Sequence, residues 1–374
     1  MRKIALCLLI VIYSCSHTSK QEPQTPAQEK STEEKQTGNL VIITLDGLRW
    51  QELFNGADSV LFNTPEYTRD PWKIRGKYWA ETSTERRQKL FPFLWSTINS
   101  QGQIHGNRKE GSKVDVMNAY CFSYPGYNEI FTGFPQDTTG KANSIQYANK
   151  NTSVFEFINT LPAYKDKVAV FASWDVFHAI YNDKRSKIFV NAGYESVPFK
   201  TPAFELLNDM EWHVHDATMS TSQRGDVFTY YMAKEYIKEF KPKLVHIAFG
   251  ETDSFAHLGD YENVLNSANM ADGWIADLWK MLQSMPEYKD NTTLLFLTDH
   301  GRGNKIKEEW KEHESAIAGS NEIWFAAIGR GIQPLGEIKK KEQLYQAQMA
   351  QTIANLLGLT FTAEHPVEAA IKGL

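Results

Sequence analysis

The sequence predicts an α/β fold built around a largely parallel β-sheet. Between residues 40 and 360, short apolar runs rich in β-branched residues alternate with longer segments whose apolar residues recur at helical spacing. Continuous apolar runs are typical of strands that are buried on both faces, as strands in parallel sheets are. Regular alternation of strands and helices favours one α/β domain, which we place at residues 39–374.

The strands and helices are predicted from these two patterns. The clearest helix is 261–285, where Val264, Ala268, Ile275, Leu278 and Leu282 recur at helical spacing. The predicted strands, in chain order, are 40–45, 102–106 (strand or turn), 167–172, 244–249, 294–297 and 323–328. The other predicted helices are 91–99, 123–133, 154–161, 226–240 and 343–357.

Residues 50–90 show neither pattern and form an insertion after the first strand. They are rich in aromatic and basic residues, including Trp50, Phe54, Trp72, Arg75 and Arg86. A loop of this length in a compact domain is usually functional or disordered, and the aromatic content argues against disorder. We expect the insertion to border the site at the end of the first strand.

The N-terminus has the composition of an export signal. Arg2 and Lys3 precede an apolar run at 4–12 that is too short to span a bilayer. The end of the run with the residues after it, Ile12-Tyr13-Ser14-Cys15, resembles a bacterial lipobox, in which the cysteine is acylated and becomes the new N-terminus. An ordinary signal peptide with a chance cysteine is the alternative. Because Cys15 sits where cleavage is expected, we favour a lipoprotein anchored to a bacterial membrane, in the periplasm or on the cell surface.

Residues 16–38 contain no large apolar side chain and are predicted to be a flexible linker. Cys7 would leave with the signal and Cys15 would carry lipid, so Cys121 would remain alone, without a disulfide. The formal net charge of -5 gives no basic excess and argues against a nucleic-acid partner.

Polar side chains with the chemistry of metal ligands follow three of the predicted strands. Asp46 follows 40–45, Asp253 and His257 follow 244–249, and Asp299 and His300 follow 294–297. Ligands of open α/β sheets bind beyond the carboxyl ends of the strands, so we expect these side chains to lie close together. Aspartate and histidine without cysteine suit zinc or a similar divalent ion. The alternatives are that Asp46 caps a helix and that Asp253 and His257 form a hydrogen bond without metal.

Ser123 stands at the predicted start of a helix that has Pro125 in its first turn and Gly133 at its end. There it lies in the positive end of the helix dipole, where phosphate also binds. A plain N-cap role is the alternative reading of Ser123.

Taken in order, these motifs resemble the alkaline phosphatase superfamily, most closely its nucleotide pyrophosphatase/phosphodiesterase branch. Asp46-Gly47-x-Arg49 looks like the first metal motif of that branch, and Ser123-x-Pro125 looks like its nucleophile motif. The later motifs Asp253-x-x-x-His257 and Asp299-His300-Gly301, and the late His313, match in order and kind. The resemblance covers about residues 39–360 and implies a three-layer α/β sandwich.

The resemblance also implies two divalent ions, zinc or alternatively manganese. One would be bound by Asp46, Ser123, Asp299 and His300, and the other by Asp253, His257 and His313. His313 lies in a polar loop without strand context, and His246 is the next candidate if His313 is not a ligand. Ser123 would be the nucleophile. Asn143 would correspond to the asparagine with which the family steadies a phosphoryl oxygen.

The nucleophile motif departs from the branch, which has Thr-Phe-Pro-Asn-His where this chain has Ser123-Tyr124-Pro125-Gly126-Tyr127. Serine keeps the reactive hydroxyl. Sulfatases of the superfamily have an arginine at the place of Tyr127, which argues against sulfatase activity.

We therefore expect a two-metal hydrolase of small phosphate esters that acts through a phospho-Ser123 intermediate. A diester or nucleotide-like substrate is favoured, because Tyr124 and Tyr127 neighbour Ser123 and Lys141 is the first cation after it in the sequence. The aromatic side chains of residues 50–90 could also stack on a base or ring, although the arginines of that segment could bind a phosphate. A phosphomonoesterase, with Arg302, Lys184 and Arg185 as candidate phosphate-binding cations, and a phosphotransferase or mutase are alternatives on the same site. A non-catalytic, surface-anchored binding protein on the same scaffold is the alternative of another class.

Overall fold

The computed structural model describes residues 38–135, 147–218 and 222–374. The predicted signal peptide with Cys15, the linker up to residue 37, and Asn143 lie outside the described residues, so the predictions for them remain predictions. Cys121 is buried and is a free thiol.

Eleven strands form two sheets in the described part of the chain. The central sheet has eight strands in the order β10-β2-β9-β7-β1-β6-β4-β5, and a small sheet has the order β11-β3-β8. The strands are β1 Asn39–Leu45, β2 Gly102–His105, β3 Ser112–Asp115, β4 Val168–Ala172, β5 Phe189–Ala192, β6 Leu244–Phe249, β7 Thr292–Leu297, β8 Glu322–Ile323, β9 Phe325–Gly329, β10 Gly336–Glu337 and β11 Glu342–Tyr345.

The central sheet is largely parallel, as predicted. β1 is its middle strand and pairs in parallel with β6 on one side and β7 on the other. β9 is antiparallel to both of its neighbours, β7 and β2. The parallel order β7-β1-β6 matters for function, because it aligns the carboxyl ends of three strands at one edge.

Both faces of the central sheet are buried, which makes a three-layer sandwich. Val41, Ile43 and Leu45 pack into one apolar cluster, whereas Leu40 and Ile42 of the same strand pack into a second cluster on the opposite face. The alternation follows from the two-residue repeat of a strand. Helices cover the two faces and bury apolar residues in the two clusters, which explains why the strands are apolar throughout.

Fourteen α-helices are assigned within the described residues. They are α1 Trp50–Asn55, α2 Ser59–Phe62, α3 Pro71–Tyr78, α4 Ser83–Leu90, α5 Asn99–Gln101, α6 Ser123–Thr132, α7 Val154–Asn159, α8 Phe177–Ile180, α9 Asp183–Ser186, α10 Pro202–Thr218, α11 Asp226–Phe240, α12 Glu251–His257, α13 Tyr261–Ser284 and α14 Met349–Leu356. Leu94–Ile98 is a π-helical turn, and short 3₁₀ helices lie at Arg108–Glu110, Lys307–Lys311 and Gln346–Gln348.

The prediction that residues 50–90 lack regular structure was wrong. The segment contains the four short helices α1–α4. The two longer helices start with ordinary caps: Asp70 caps α3 directly before Pro71, and Thr82 forms a capping box with Glu85 at α4. Each helix has eight residues or fewer, too short for a helical period to stand out from the sequence.

Most aromatic residues of this segment belong to the core. Phe54, Phe62, Tyr67 and Tyr78 are buried, whereas Trp72 is 81% exposed. Most of these aromatic side chains therefore stabilise the core by packing. The insertion itself is a helical part of the outer layer.

The predicted helix 343–357 is wrong in its first half. Residues 342–345 form β11, which pairs in parallel with β3, and the helix begins only at Met349 after a 3₁₀ turn. The predicted strand 323–328 is likewise divided between β8 and β9, which belong to different sheets.

Among the residues that the structure describes, no helix is both long and apolar enough to cross a membrane.

Candidate active site

Three aspartates meet at the carboxyl edge of the central sheet because their strands are neighbours. Asp46 directly follows β1, Asp299 follows β7, and Asp253 lies in the first turn of α12 after β6. The hydroxyl of Thr252 donates to the carbonyl oxygen of Asp46 at 2.6 Å, which ties the start of α12 to the end of β1. The close approach expected from the sequence is therefore present.

Two glycines allow this close approach. Gly47 has a φ of +59°, and a Cβ there would lie 2.6 Å from Asp253 Oδ1 and 3.0 Å from the His300 ring. Its N–H donates to Asp299 Oδ1 at 3.0 Å. A Cβ at Gly126 would lie 2.6 Å from the carbonyl oxygen of Asp299, so glycine lets α6 pack against the end of β7.

Asp46, Asp299 and His300 form the first group of ligand-type side chains, and all three are buried. His300 Nε2 lies 3.3 Å from Asp46 Oδ1 and 3.5 Å from Asp299 Oδ2. Its other ring nitrogen, Nδ1, lies 2.9 Å from the carbonyl oxygen of Gly301. That contact orients the ring so that Nε2 faces the two carboxylates, as is usual for a metal-binding histidine.

The electrostatics of this group favour a cation. Burial, and then the charge of Asp253, raise the pKa of Asp46 well above its usual value. Burial, and then the charge of Asp46, do the same to the pKa of Asp299. Asp299 Oδ2 is buried and has no hydrogen-bond partner within the described residues. A buried acceptor of this kind needs a partner, and a bound divalent ion fits the donor set.

Asp253, His300 and His313 form the second group, with His257 beside it. His313 Nε2 lies 3.8 Å from Asp253 Oδ1 and 3.0 Å from His257 Nε2, and His257 Nε2 lies 3.3 Å from Asp253 Oδ2. Burial, and then the charge of His300, lower the pKa of His313 to about 2. The ring is therefore neutral, which is the form that binds metal.

The structure thus brings together Asp46, Ser123, Asp253, His257, Asp299, His300 and His313, the seven residues predicted as ligands. His300 lies within reach of both groups, whereas the sequence assigned it to the first alone. The metal-binding roles of the seven residues stay predictions.

Ser123 is the first residue of α6, and Phe122 occupies the N-cap position. The Ser123 hydroxyl donates to Asp46 Oδ1 at 3.3 Å and lies 3.3 Å from His300 Nε2. A plain capping role for Ser123 is therefore wrong, because its oxygen faces the first ligand group. As expected, α6 ends at Gly133, which has a left-handed φ of +68°.

His246, the substitute ligand considered for His313, belongs to the core. It is buried, with Nε2 at 3.0 Å from the Thr44 hydroxyl and Nδ1 at 2.9 Å from the Tyr181 hydroxyl. Burial among aromatic rings, Phe131 among them, lowers its pKa to about 3.

Tyr127, where the sulfatases have arginine, donates its hydroxyl to Asp46 Oδ2 at 3.1 Å. It therefore orients a predicted metal ligand. Tyr124 is also buried, and its hydroxyl donates to the carbonyl oxygen of Tyr147 at 2.6 Å. Neither tyrosine lines the cavity described below, so they give no support to the predicted diester preference.

A cavity of about 200 Å³ opens onto both groups. It is lined by Asp46, Ser123, Trp174, Gln223, Gly250, Asp253, His257 and His313. None of these residues falls between 50 and 90, so the expectation that the insertion borders the site was wrong for the described cavity. Trp174 and Gln223, which an antiparallel bridge joins, were not predicted as site residues from the sequence.

The cations considered for phosphate binding are engaged elsewhere or lie outside this cavity. Arg302 donates to Asp253 Oδ1, and Arg185 is paired with Glu156. Among the described residues that line the cavity, none is lysine or arginine.

No protein-family model matches the chain, and no curated protein matches it. Solved structures do. The alkaline phosphatase PafA is similar with a TM-score of 0.58 at 9% identity, over 90% of this chain and 99% of that one. The lipoteichoic acid synthase LtaP from Listeria monocytogenes gives 0.53 at 14% identity, over 87% of this chain and 73% of that one. A 2-O GAG sulfatase gives 0.50 at 13% identity, over 88% and 72%.

At sequence identities this low, the similarity to these structures shows a shared fold. The architecture agrees with the large, mostly parallel sheet described above, which carries its polar residues at the carboxyl ends of β7, β1 and β6. The chain has an alkaline-phosphatase-like α/β fold.

Proposed function

We propose that the protein is a metal-dependent hydrolase of phosphate esters with Ser123 as its nucleophile. The observation that carries the proposal is the position of the Ser123 hydroxyl, 3.3 Å from both Asp46 Oδ1 and His300 Nε2 at the wall of the cavity. A hydroxyl at the start of a helix, beside clustered carboxylates and imidazoles, has the arrangement of an activated nucleophile.

Two divalent cations fit the two ligand groups. Asp46, Asp299 and His300 would hold one, and Asp253, His257 and His313 the other, with His300 between them. The oxygen and nitrogen donors suit zinc, and manganese is the alternative. When bound, such ions supply Lewis acidity that polarises a phosphoryl oxygen and favours the ionised form of the serine hydroxyl.

The chain's own residues then carry out the exchange. Ser123 Oγ loses its proton and forms a bond to phosphorus as the bond to the ester oxygen breaks. The leaving oxygen takes up a proton, which gives a free alcohol and a phosphorylated Ser123 that keeps the second organic group of a diester. Water then cleaves the phosphoserine and restores the hydroxyl. The positive end of the α6 dipole favours the negative charge that develops beside Ser123. Asn143 is proposed to steady a phosphoryl oxygen.

Sulfate esters are the nearest competing substrates, because one of the similar structures is a sulfatase. Tyr127 occupies the place of the sulfatase arginine, and its hydroxyl donates to Asp46. This difference from the sulfatases favours phosphate esters over sulfate esters. A transferase or mutase would use the same phosphoserine with another acceptor. A non-catalytic binding protein is disfavoured, because every predicted ligand in the described residues is present and clustered.

We further propose a diester or nucleotide-like substrate, as in the nucleotide pyrophosphatase/phosphodiesterase branch. A monoester is a dianion and calls for extra cations beside the metals, whereas the described cavity wall contains no lysine or arginine. A diester carries one charge less and brings a second organic group that needs a surface. Trp174, which is half-buried in the wall, offers such a surface.

The metal-loaded enzyme is expected to hydrolyse bis-p-nitrophenyl phosphate with a higher kcat/KM than p-nitrophenyl phosphate or p-nitrophenyl sulfate. Trp174→Ala should lower kcat/KM for the diester more than for the monoester. Trp72→Ala is the matched control, because that tryptophan is exposed and outside the cavity. A monoester preference of about tenfold or more, ~1.4 kcal/mol of transition-state discrimination, would overturn the diester proposal. A sulfate preference would overturn the phosphate assignment.

The lipid anchor on Cys15 is proposed from the sequence. Cys15→Ser is expected to move the protein from the membrane fraction to the soluble fraction, because the thiol that would carry the lipid is removed. The measurement is the distribution of the protein between fractions after cell lysis, with Cys7→Ser as the control. Retention of Cys15→Ser in the membrane fraction would refute the anchor.

A further inference from the structure

Arg302 is a buried guanidinium that binds one of the predicted metal ligands. It follows the Asp299-His300-Gly301 motif and is 2% exposed. Its Nη2 donates to Asp253 Oδ1 and, at 3.2 Å, to the carbonyl oxygen of Asp253. Its Nη1 donates to the carbonyl oxygen of Lys311, which holds the guanidinium in place.

The oxygen that Arg302 holds is the one that faces the second ligand group. Asp253 Oδ1 lies 3.8 Å from His313 Nε2 and 3.9 Å from His300 Nε2. A divalent ion between these side chains would draw on the same oxygen. The guanidinium and the ion carry like charge, so each weakens the binding of the other at this oxygen.

The first group lacks such a competitor. Within the described residues, Asp46 and Asp299 form no ion pair with lysine or arginine. Asp299 Oδ2 has no hydrogen-bond partner there, and Asp46 Oδ1 contacts Ser123 and His300. The carboxylates of the first group are thus open to an ion, whereas the carboxylate of the second group is already neutralised by a side chain.

We propose that Arg302 competes with a divalent cation for Asp253, so that the two metal positions have unequal affinities and fill in order. The position at Asp46, Asp299 and His300 fills first. The position at Asp253, His257 and His313 fills second, once the hydrogen bond from Arg302 to Asp253 Oδ1 is broken. This inference rests on the proposed two-metal site and adds a residue that sets its occupancy.

The test is calorimetric titration of the full-length, metal-stripped protein with Zn²⁺, with bound zinc counted by elemental analysis. The wild-type protein is expected to bind two ions in separate steps. Arg302→Gln should tighten the second step by about tenfold or more, because the variant removes a like charge that binds the same ligand oxygen as the ion. Arg302→Lys keeps the charge and is the matched variant, expected to tighten the second step less.

A thermal measurement gives a second readout. In chelator, Arg302→Gln should melt below wild type, because the half-buried carboxylate of Asp253 loses its cationic partner. Saturating zinc should then raise its Tm by more than it raises that of wild type, because the ion replaces the lost partner without competition.

The outcomes separate this inference from the proposed function. Two zinc ions bound with equal affinity by wild type would overturn it, and this result needs no variant to fold. A second step that is unchanged or weaker in folded Arg302→Gln would also overturn it and leave the two-metal site standing. Failure of wild type to bind zinc at either group would instead remove the metal site on which the proposed function depends.

Discussion

Ser123→Ala is expected to lose nearly all turnover while keeping its fold and its bound metal. The Ser123 hydroxyl is the oxygen that would form the bond to phosphorus, and alanine offers no replacement. Loss of a nucleophile typically lowers kcat by several orders of magnitude, so we expect a fall of at least roughly a thousandfold. The measurement is kcat/KM on the preferred ester, together with circular dichroism and metal content.

The fold should survive because the contacts of the Ser123 hydroxyl in the described structure are to the site itself, to Asp46 and His300. Ser123→Thr keeps a hydroxyl at the same place and is expected to retain part of the activity. Intact-mass measurement of an acid-quenched reaction should find a phosphoryl adduct on wild type, which keeps the second organic group when the substrate is a diester, and none on Ser123→Ala.

Thr132→Ala is the control at the other end of α6. The Thr132 hydroxyl donates to the carbonyl oxygen of Asn128 at 2.7 Å and accepts from the N–H of Phe134 at 3.1 Å. Its loss should cost stability of about 1 kcal/mol, the usual net value of a hydrogen bond, with little effect on chemistry. Equal loss of turnover in Ser123→Ala and Thr132→Ala would mean that Ser123 is not the nucleophile.

The parts of the fold that the sequence could predict are those whose pattern is local and long. The strand β6 and the helix α11 were placed to the residue, since each is an apolar or periodic run with clear limits. The meeting of Asp46, Asp253 and Asp299 was expected, because each of them follows a strand of a largely parallel sheet. The sequence did not show which strands are neighbours, and the structure places β1 between β6 and β7.

The parts that could not be predicted depend on partners distant in sequence. The sequence of β11 also fits a helix. The segment is a strand because it pairs with β3, which lies some 230 positions earlier in the chain. Trp174 and Gln223 reach the cavity because a bridge joins two loops. The contact between Arg302 and Asp253 likewise joins two strand ends. No local pattern distinguishes such residues from ordinary loop residues.

Chelation is expected to abolish activity, and zinc is expected to restore it. Without a cation, the carboxylates of Asp46, Asp253 and Asp299 face one another around Ser123, and nothing in the first group polarises a phosphoryl oxygen. We expect residual activity below about 1% of the loaded enzyme, since metal activation of a nucleophile and of the phosphoryl group contributes several kcal/mol. The measurement is hydrolysis after treatment with chelator and dialysis, then after addition of Zn²⁺, Mn²⁺ or Mg²⁺ at matched ionic strength.

Asp299→Asn tests the same point from the protein side. Asp299 Oδ2 is the buried acceptor without a partner in the described residues, and asparagine removes its charge at nearly constant volume. The variant should bind fewer ions and should not recover with zinc at the concentration that restores wild type. Asp70→Asn, which changes a helix-capping acid of α3 that does not line the cavity, should recover like wild type. Undiminished hydrolysis by wild-type protein in chelator would remove the two-metal proposal, because the clustered carboxylates and imidazoles would then need another explanation.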